Sequence, residues 1–295
     1  MNPSVAEAVT DTNLLRDPEA LLAAWEALLA RHHHLHAPEV ARMLAVPEAA
    51  LVAARIGSGA VRLLPDVGRL LAPIQGWGRV LCAFSNPLGV HMPLGEVHGR
   101  SEADRYVLEG PHLQAVVDSR VITDAYLFVE HDEAHGNTRS VQCFDAAGES
   151  VVKIFIFHKT RFKSADAHLR AQAAADQSRT VQPRPVAPGT SGSLAAAQDS
   201  DSQVLQGTPR ELLAAELAAP AQREVQMLSP NACVTWRGAL HEARLDEHML
   251  HLHETDLRAH LRYAPITQVT RTESGALSLN GRAGRMLRIA TGATS

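Results

Sequence analysis

Histidine is this chain's most abundant resource for site chemistry, with 16 in 295 residues, and position matters more than number. The stretch HMLHLHETDLRAH holds His248, His251, His253 and His260. On a strand, His251 and His253 share one face and could ligate a metal through neutral imidazole nitrogen. Solvent-facing alternation, with Leu250 and Leu252 turned inward, explains the same pattern. His91, in GVHMPLG, is another potential imidazole ligand, the alternative being an exposed loop histidine; Gly89 and Gly95 would permit close approach of a flat ligand. Arg120 stands in the otherwise apolar VVDSRVI, where its permanent charge needs water, an anion, or a partner such as Asp118 or Asp124. The run RHHHLH, His32 to His36, could gather a metal ion, but no acid or cysteine completes it. Helix-end histidines favourable to the macrodipole fit it better. There is no serine-histidine-acid order, phosphate-cradling glycine loop or HExxH, so hydrolytic and phosphoryl-transfer chemistry have no support.

The elements that must position these groups are mixed. Asp17-Pro18-Glu19 supplies an N-cap, a proline at N1 and a first-turn acid. Leu21, Leu22, Trp25, Leu28 and Leu29 then recur at helical spacing. APEVARMLAVPEAALVAARIG predicts two short helices broken at Val46-Pro47, the outline of a helix-turn-helix. An ordinary αα-corner fits better, because EAALVAARI offers one arginine and no amide to read bases. From Val61, short apolar runs alternate with turn signals, and GRVLCAFSN, VDSRVI, AYLFVEHD, SVQCFD and SVVKIFIF predict strands. The last is apolar on both faces except at Lys153, so its sheet is covered on both sides or packed at an interface.

Composition bounds the rest. Apolar residues make up 45% of the chain, as in globular proteins, and the net charge of -4 argues against a nucleic-acid binder. Three dispersed cysteines, Cys82, Cys143 and Cys233, fit a reducing compartment and exclude a zinc ribbon. The N-terminal residues have no signal-peptide pattern, and no apolar run nears the roughly 20 residues that span a bilayer. These features predict a soluble cytoplasmic protein without membrane insertion.

Residues 172 to 209 are rich in Ala, Ser, Gln, Pro and Gly and read as a linker. Beyond them the earlier patterns return. ESGALSLNGRAGRMLRIATG follows TRSVQCFDAAGESVVKIFIF, and NACVTWRGAL follows PLGVHMPLGEV with Gly238 falling on Gly95. HMLHLHETDLRAHLRY is laid on VVDSRVITDAYLFVEH with His251 opposite Arg120. Three segments in the same order predict an internal duplication. The expected organisation is a loose tail over 1–18, a first repeat over 19–165, a flexible linker over 166–209 and a shortened second repeat over 210–295.

The order PEVARMLAVPEAALVAARIG, RVLCAFSNPLGVHMPLGEV, VDSRVITDAYLFVE, RSVQCFDAAGESVVKIFIF resembles the first half of the HemS/ChuS-type bacterial haem-utilisation proteins, over residues 19 to 162. A fainter match runs from about Gln222 to Gly292. The resemblance implies an α+β fold of duplicated antiparallel β-sheet units flanked by helices, HemS/ChuS-like, with haem as cofactor. It implies a carrier of haem taken from an uptake transporter, with possible haem-degrading activity or a haem-degrading partner. It assigns Arg120 to cover a haem face and His91 as an alternative iron ligand, the metal-binding residue; His251 and His253 are the second half's own haem-binding candidates. The family's axial histidine lies in the segment joining the halves, yet residues 169 to 240 contain no histidine. The competing expectation is therefore a degenerate paralogue that binds no haem and works through protein contacts.

Overall fold

The chain alternates helical caps with long antiparallel strands, and its computed structural model describes residues 12–33, 35–132, 136–156, 159–184, 202–282 and 284–292, with backbone alone at 12, 131–132, 136–137 and 159–162. A short helix, α1 (Thr12–Arg16), precedes α2 (Pro18–Arg31). Asp17 caps α2 by accepting from the backbone N–H groups of Glu19 and Ala20 at 3.1 and 3.0 Å. Leu21, Trp25 and Leu28 form its buried stripe. Next come α3 (Ala37–Met43) and α4 (Glu48–Ala54). All seven residues of α4 are buried, so it has no face to offer a DNA groove, and the helix-turn-helix outline is a packed αα-corner.

After β1 (Ala60–Leu63) and α5 (Val67–Leu71) the strands run β2 (Arg79–Asn86), β3 (Gly89–Glu96), β4 (His98–Glu102), β5 (Arg105–Glu109), β6 (Leu113–Asp118), β7 (Ile122–Asp132), β8 (Gly136–Asp145) and β9 (Ser150–Ile156). Then come α6 (Lys159–Arg170), β10 (Ser202–Val204) and α7 (Pro209–Glu216). The chain closes with β11 (Ala221–Leu228), β12 (Ala232–Leu240), β13 (Ala243–Leu245), β14 (Met249–His253), β15 (Leu257–Arg262), β16 (Gln268–Thr272), β17 (Leu277–Gly281) and β18 (Gly284–Thr291).

Two nine-stranded antiparallel sheets result. The first is ordered β1-β7-β8-β9-β2-β3-β15-β14-β13 and the second β10-β16-β17-β18-β11-β12-β6-β5-β4. Advancing every strand of the first sheet by nine, and continuing from β18 to β1, yields the second. Neither sheet belongs to one half, however: β4–β6 cross into the second sheet and β13–β15 into the first. The hairpins β2–β3 and β11–β12 correspond, with the pair Val80–Gly95 matched by Arg223–Gly238. The sequence register for the histidine stretch needs correction. The strand orders place β14–β15 on β5–β6, so the paired His251 and His260 answer to the paired Val107 and Val116, and Arg120 lies beyond the match. Alternating apolar residues look alike in successive strands, so the sequence alignment slipped by one strand.

The inner faces of both sheets share one core, from Val80, Cys82 and Phe84 in the first to Leu108, Val225 and Val234 in the second. A second core lies where α2–α4 cover Tyr126, Phe128 and Phe144 on the first sheet's outer face. There the one polar residue predicted in β9, Lys153, is buried and ion-paired with Glu48 of α4.

Residues 171–184, expected in the linker, form no helix and no strand beyond a single bridge at Ala173, yet they are pinned to the first half. Ala174 and Arg184 donate backbone N–H groups to Arg62 and Ala146, the Arg179 guanidinium meets the Ala54 carbonyl, and Val181 is buried. At its ends the expected linker is ordered too, with 166–170 in α6 and 202–204 in β10, and the expected loose tail is helical over Thr12–Arg16; residues 185–201 and 1–11 lie outside the described residues.

Candidate functional site

The histidines of the second half are brought together by strand pairing. In β14, His251 and His253 are two residues apart and share a face. In β15, His260 is the cross-strand partner of His251, so all three rings project from the same side of the first sheet. Their ligand nitrogens lie within 4.8 Å of one another. His253 is exposed and the other two are half-buried. Gly89 makes the close strand packing possible. Its φ is +154°, and a Cβ there would stand 2.0 Å from the carbonyl oxygen of His260. The glycine serves strand approach rather than ligand approach.

Hydrogen bonding orients the rings. The Oδ1 of Asp246 accepts the backbone N–H groups of His248 and Met249 at 2.8 and 2.7 Å, anchoring the carboxylate in the turn before β14. Its Oδ2 lies 2.9 Å from His251 Nε2. Bonding to the His251 side chain, then to these two N–H groups, pushes the Asp246 carboxyl down to about 2. Ionised Asp246 can only accept, so His251 Nε2 carries hydrogen. The other ring nitrogen of His251, Nδ1, lies 2.8 Å from His260 Nδ1, so one of the two rings supplies the hydrogen between them. When His260 donates from Nδ1, a lone pair is left on its Nε2, which has no hydrogen-bond partner among the described residues. Burial holds the His260 imidazole below the usual histidine range, and His251, His253, Arg258 and Arg244 add to this. The neutral ring, the form that can ligate a metal, is favoured.

The same outer face continues across β3, β2 and β9. Val90, Met92 and Leu94 alternate with the inward His91 and Pro93, and β2 and β9 add Leu81, Ala83 and Phe155. Val90, Met92, Leu94 and Phe155 are half-buried. Strand spacing and rise make this apolar patch about 10 Å by about 13 Å. The exposed Arg244 and Arg258 flank the histidines at its end. The face thus joins an apolar bed to three imidazoles and two guanidinium groups at one end.

The other predicted residues lie elsewhere. His91 is wholly buried, on the inner face of the first sheet between Phe84 and Ala259. Neither of its ring nitrogens has a hydrogen-bond partner among the described residues, and burial drives its pKa down to about 3. It is a core residue rather than the loop histidine or surface ligand of the sequence reading, and the sheet separates it from the histidine trio. Arg120 is not in a strand. It sits in a single 3-10 turn, Ser119–Val121, with its side chain about half exposed, bonded to both carboxylate oxygens of Asp118 and facing Asp104 at 3.3 Å. The partner is thus Asp118, one of the two considered, while Asp124 holds Arg62 instead. Of the RHHHLH run, His32 caps the end of α2, His36 precedes α3 and its backbone N–H meets Glu39, and His34 lies outside the described residues.

One site histidine passed over in the sequence is His112. It lines a cleft of ≈ 440 Å³ between the β3 end, the β5–β6 turn and Thr255–Asp256. Its Nδ1 meets the Arg237 carbonyl at 2.8 Å and its Nε2 faces Asp256 at 3.5 Å, so both nitrogens are engaged. Sequence gave no cue to it, because its partners are 125 and 144 residues away.

Comparison with known proteins places this geometry. Residues 45–173 match the family described as haemin-degrading HemS.ChuX domain. That segment is similar to the HemS.ChuX family, and the whole chain shares the fold of two solved structures. The hemin transport protein HmuS of Yersinia pestis is 26% identical over 166 residues, which are 53% of this chain and 46% of that one. The match thus spans less than half the length of that curated relative. By structure, the haem-bound form of PhuS, a heme-binding protein from Pseudomonas aeruginosa, superposes with a TM-score of 0.80 at 20% identity, covering 95% of this chain and 94% of that one. The Escherichia coli O157:H7 heme degrading enzyme ChuS gives 0.77 at 16% identity, covering 95% of each chain. These likenesses confirm the α+β fold of two large antiparallel sheets flanked by helices. No helix among the described residues is long and apolar enough to cross a membrane.

Proposed function

We propose that this chain binds haem on the outer face of its first sheet and carries it in the cytoplasm after uptake. One observation carries the reading: the Asp246–His251–His260 chain leaves a neutral imidazole nitrogen at the edge of an apolar sheet face. Similarity to the HemS.ChuX family supports the ligand class, since PhuS is a heme-binding protein and ChuS a heme degrading enzyme. On this reading His260 would hold the iron, Val90, Met92, Leu94 and Phe155 would offer the macrocycle apolar contact, and Arg244 and Arg258 would serve the propionates. His251 and Asp246 orient His260. A bound iron would supply whatever redox or oxygen chemistry follows; the protein's part is binding, orientation and exclusion of water. An uptake transporter before it and a haem-degrading partner after it are the contacts such a carrier requires.

The test is a haemin titration of the full chain followed in the Soret band. A saturable change at one equivalent supports haem carriage. No saturable change favours the second reading, a degenerate paralogue acting through protein contacts, which the lack of any histidine across residues 169–240 motivates.

A further inference from the structure

We propose that His251, His253 and His260 also form a site for a bare first-row transition-metal ion of the zinc, cobalt or copper class. A His-x-His pair on β14 and the cross-strand partner of its first member offer three nitrogens from one sheet face, all within 4.8 Å. The rings stand at 71°, 77° and 86° to one another with centroids 5.1 to 6.3 Å apart, so edges rather than faces converge. The Nδ1 atoms of His251 and His260, 2.8 Å apart, now share one proton. Bonds of about 2.0–2.1 Å to a tetrahedral ion would set them roughly 3.3 Å apart, a small opening with the ion in place of that proton. Three imidazoles and no carboxylate in the inner set suit zinc, cobalt or copper and not calcium or magnesium. Asp246 on His251 Nε2 is the outer partner that metal-bound imidazoles commonly have, already in place. The exposed edge at His253 leaves the fourth position to water or an anion. Exposed Arg244 and Arg258 repel a cation through solvent, and they favour an anionic fourth ligand.

This site goes beyond haem carriage and does not depend on it. A haem would take one imidazole through Nε2 and keep the hydrogen-bonded chain intact. The ion takes all three rings and breaks the chain, so the two occupants exclude one another.

The experiment is a titration of the tag-free, haem-free full chain with cobalt(II) alone, read by visible absorption. The expected result is saturation at one equivalent with intense bands of a four-coordinate ion. His253→Ala and His260→Ala should each weaken binding at least tenfold, and Asp246→Asn about tenfold. His253 is exposed, so its replacement leaves the fold intact and its result stands even if His260→Ala misfolds. Absence of saturable bands in the wild type overturns the site. So do bands unchanged by His253→Ala, or bands lost only when His32, His33 and His36 are replaced. Because no haem is present, failure here says nothing against haem carriage, and failure of haemin binding says nothing against the ion.

Discussion

His91 shows how a residue of the right type can lie in the wrong environment for the chemistry its sequence context invites. Buried, with neither nitrogen partnered among the described residues, it is held neutral to about pH 3, whereas in the unfolded chain it protonates near its ordinary pKa of 6.5. The unfolded state therefore binds the extra proton between these values. The stability attached to His91 is complete above pH 6.5 and falls as pH drops toward 3, by up to about 1.4 kcal/mol per pH unit. His91→Val, the residue found at the equivalent Val234, should flatten that slope, so the variant gains on the wild type as pH falls. Urea unfolding at pH 7.5 and pH 5 measures it; an equal loss in both proteins would refute the assignment. Arg120 gives the converse case. Its charge, which in the sequence called for an anion, is met by Asp118 and Asp104. Arg120→Ala should leave haemin affinity unchanged, and a clear drop in a Soret titration would restore it to the site.

The site is made by strand pairing, and pairing is what a single sequence conveys least. The alternation in HMLHLH correctly put His251 and His253 on one face, with Leu250 and Leu252 buried beneath. It could not show that His260 joins them, because that depends on the β14–β15 register, nor that β15 docks on β3 of the other half. Gly89 is the element-level test of this docking. A methyl group at Gly89 would collide with the His260 carbonyl, and the backbone there already lies where side chains are rarely tolerated. Gly89→Ala should cost roughly 1–3 kcal/mol and weaken both haemin and cobalt binding together. Unchanged thermal unfolding would show that β15 does not press on β3 as described. The buried Lys153–Glu48 pair, by contrast, was half visible in sequence: one cation in an apolar strand demands a partner, but nothing local named a helix over 100 residues earlier.

At the level of the molecule, the fold class was readable because strand and hairpin patterns recur in order along the chain. The exchange of β4–β6 and β13–β15 between sheets was not, since a strand's pattern does not record which sheet receives it. That exchange is what matters for function. It sets second-half histidines beside a first-half apolar face, so a chain without a joining-segment histidine still offers an imidazole. The decisive comparison is the ferric haem spectrum of the wild type against His260→Ala and His91→Val. Ligation by His260 predicts that His260→Ala shifts the Soret maximum and weakens binding at least tenfold. His91→Val should leave position and affinity as they are. A spectrum untouched by His260→Ala, or moved instead by His91→Val, would contradict haem binding on the outer face.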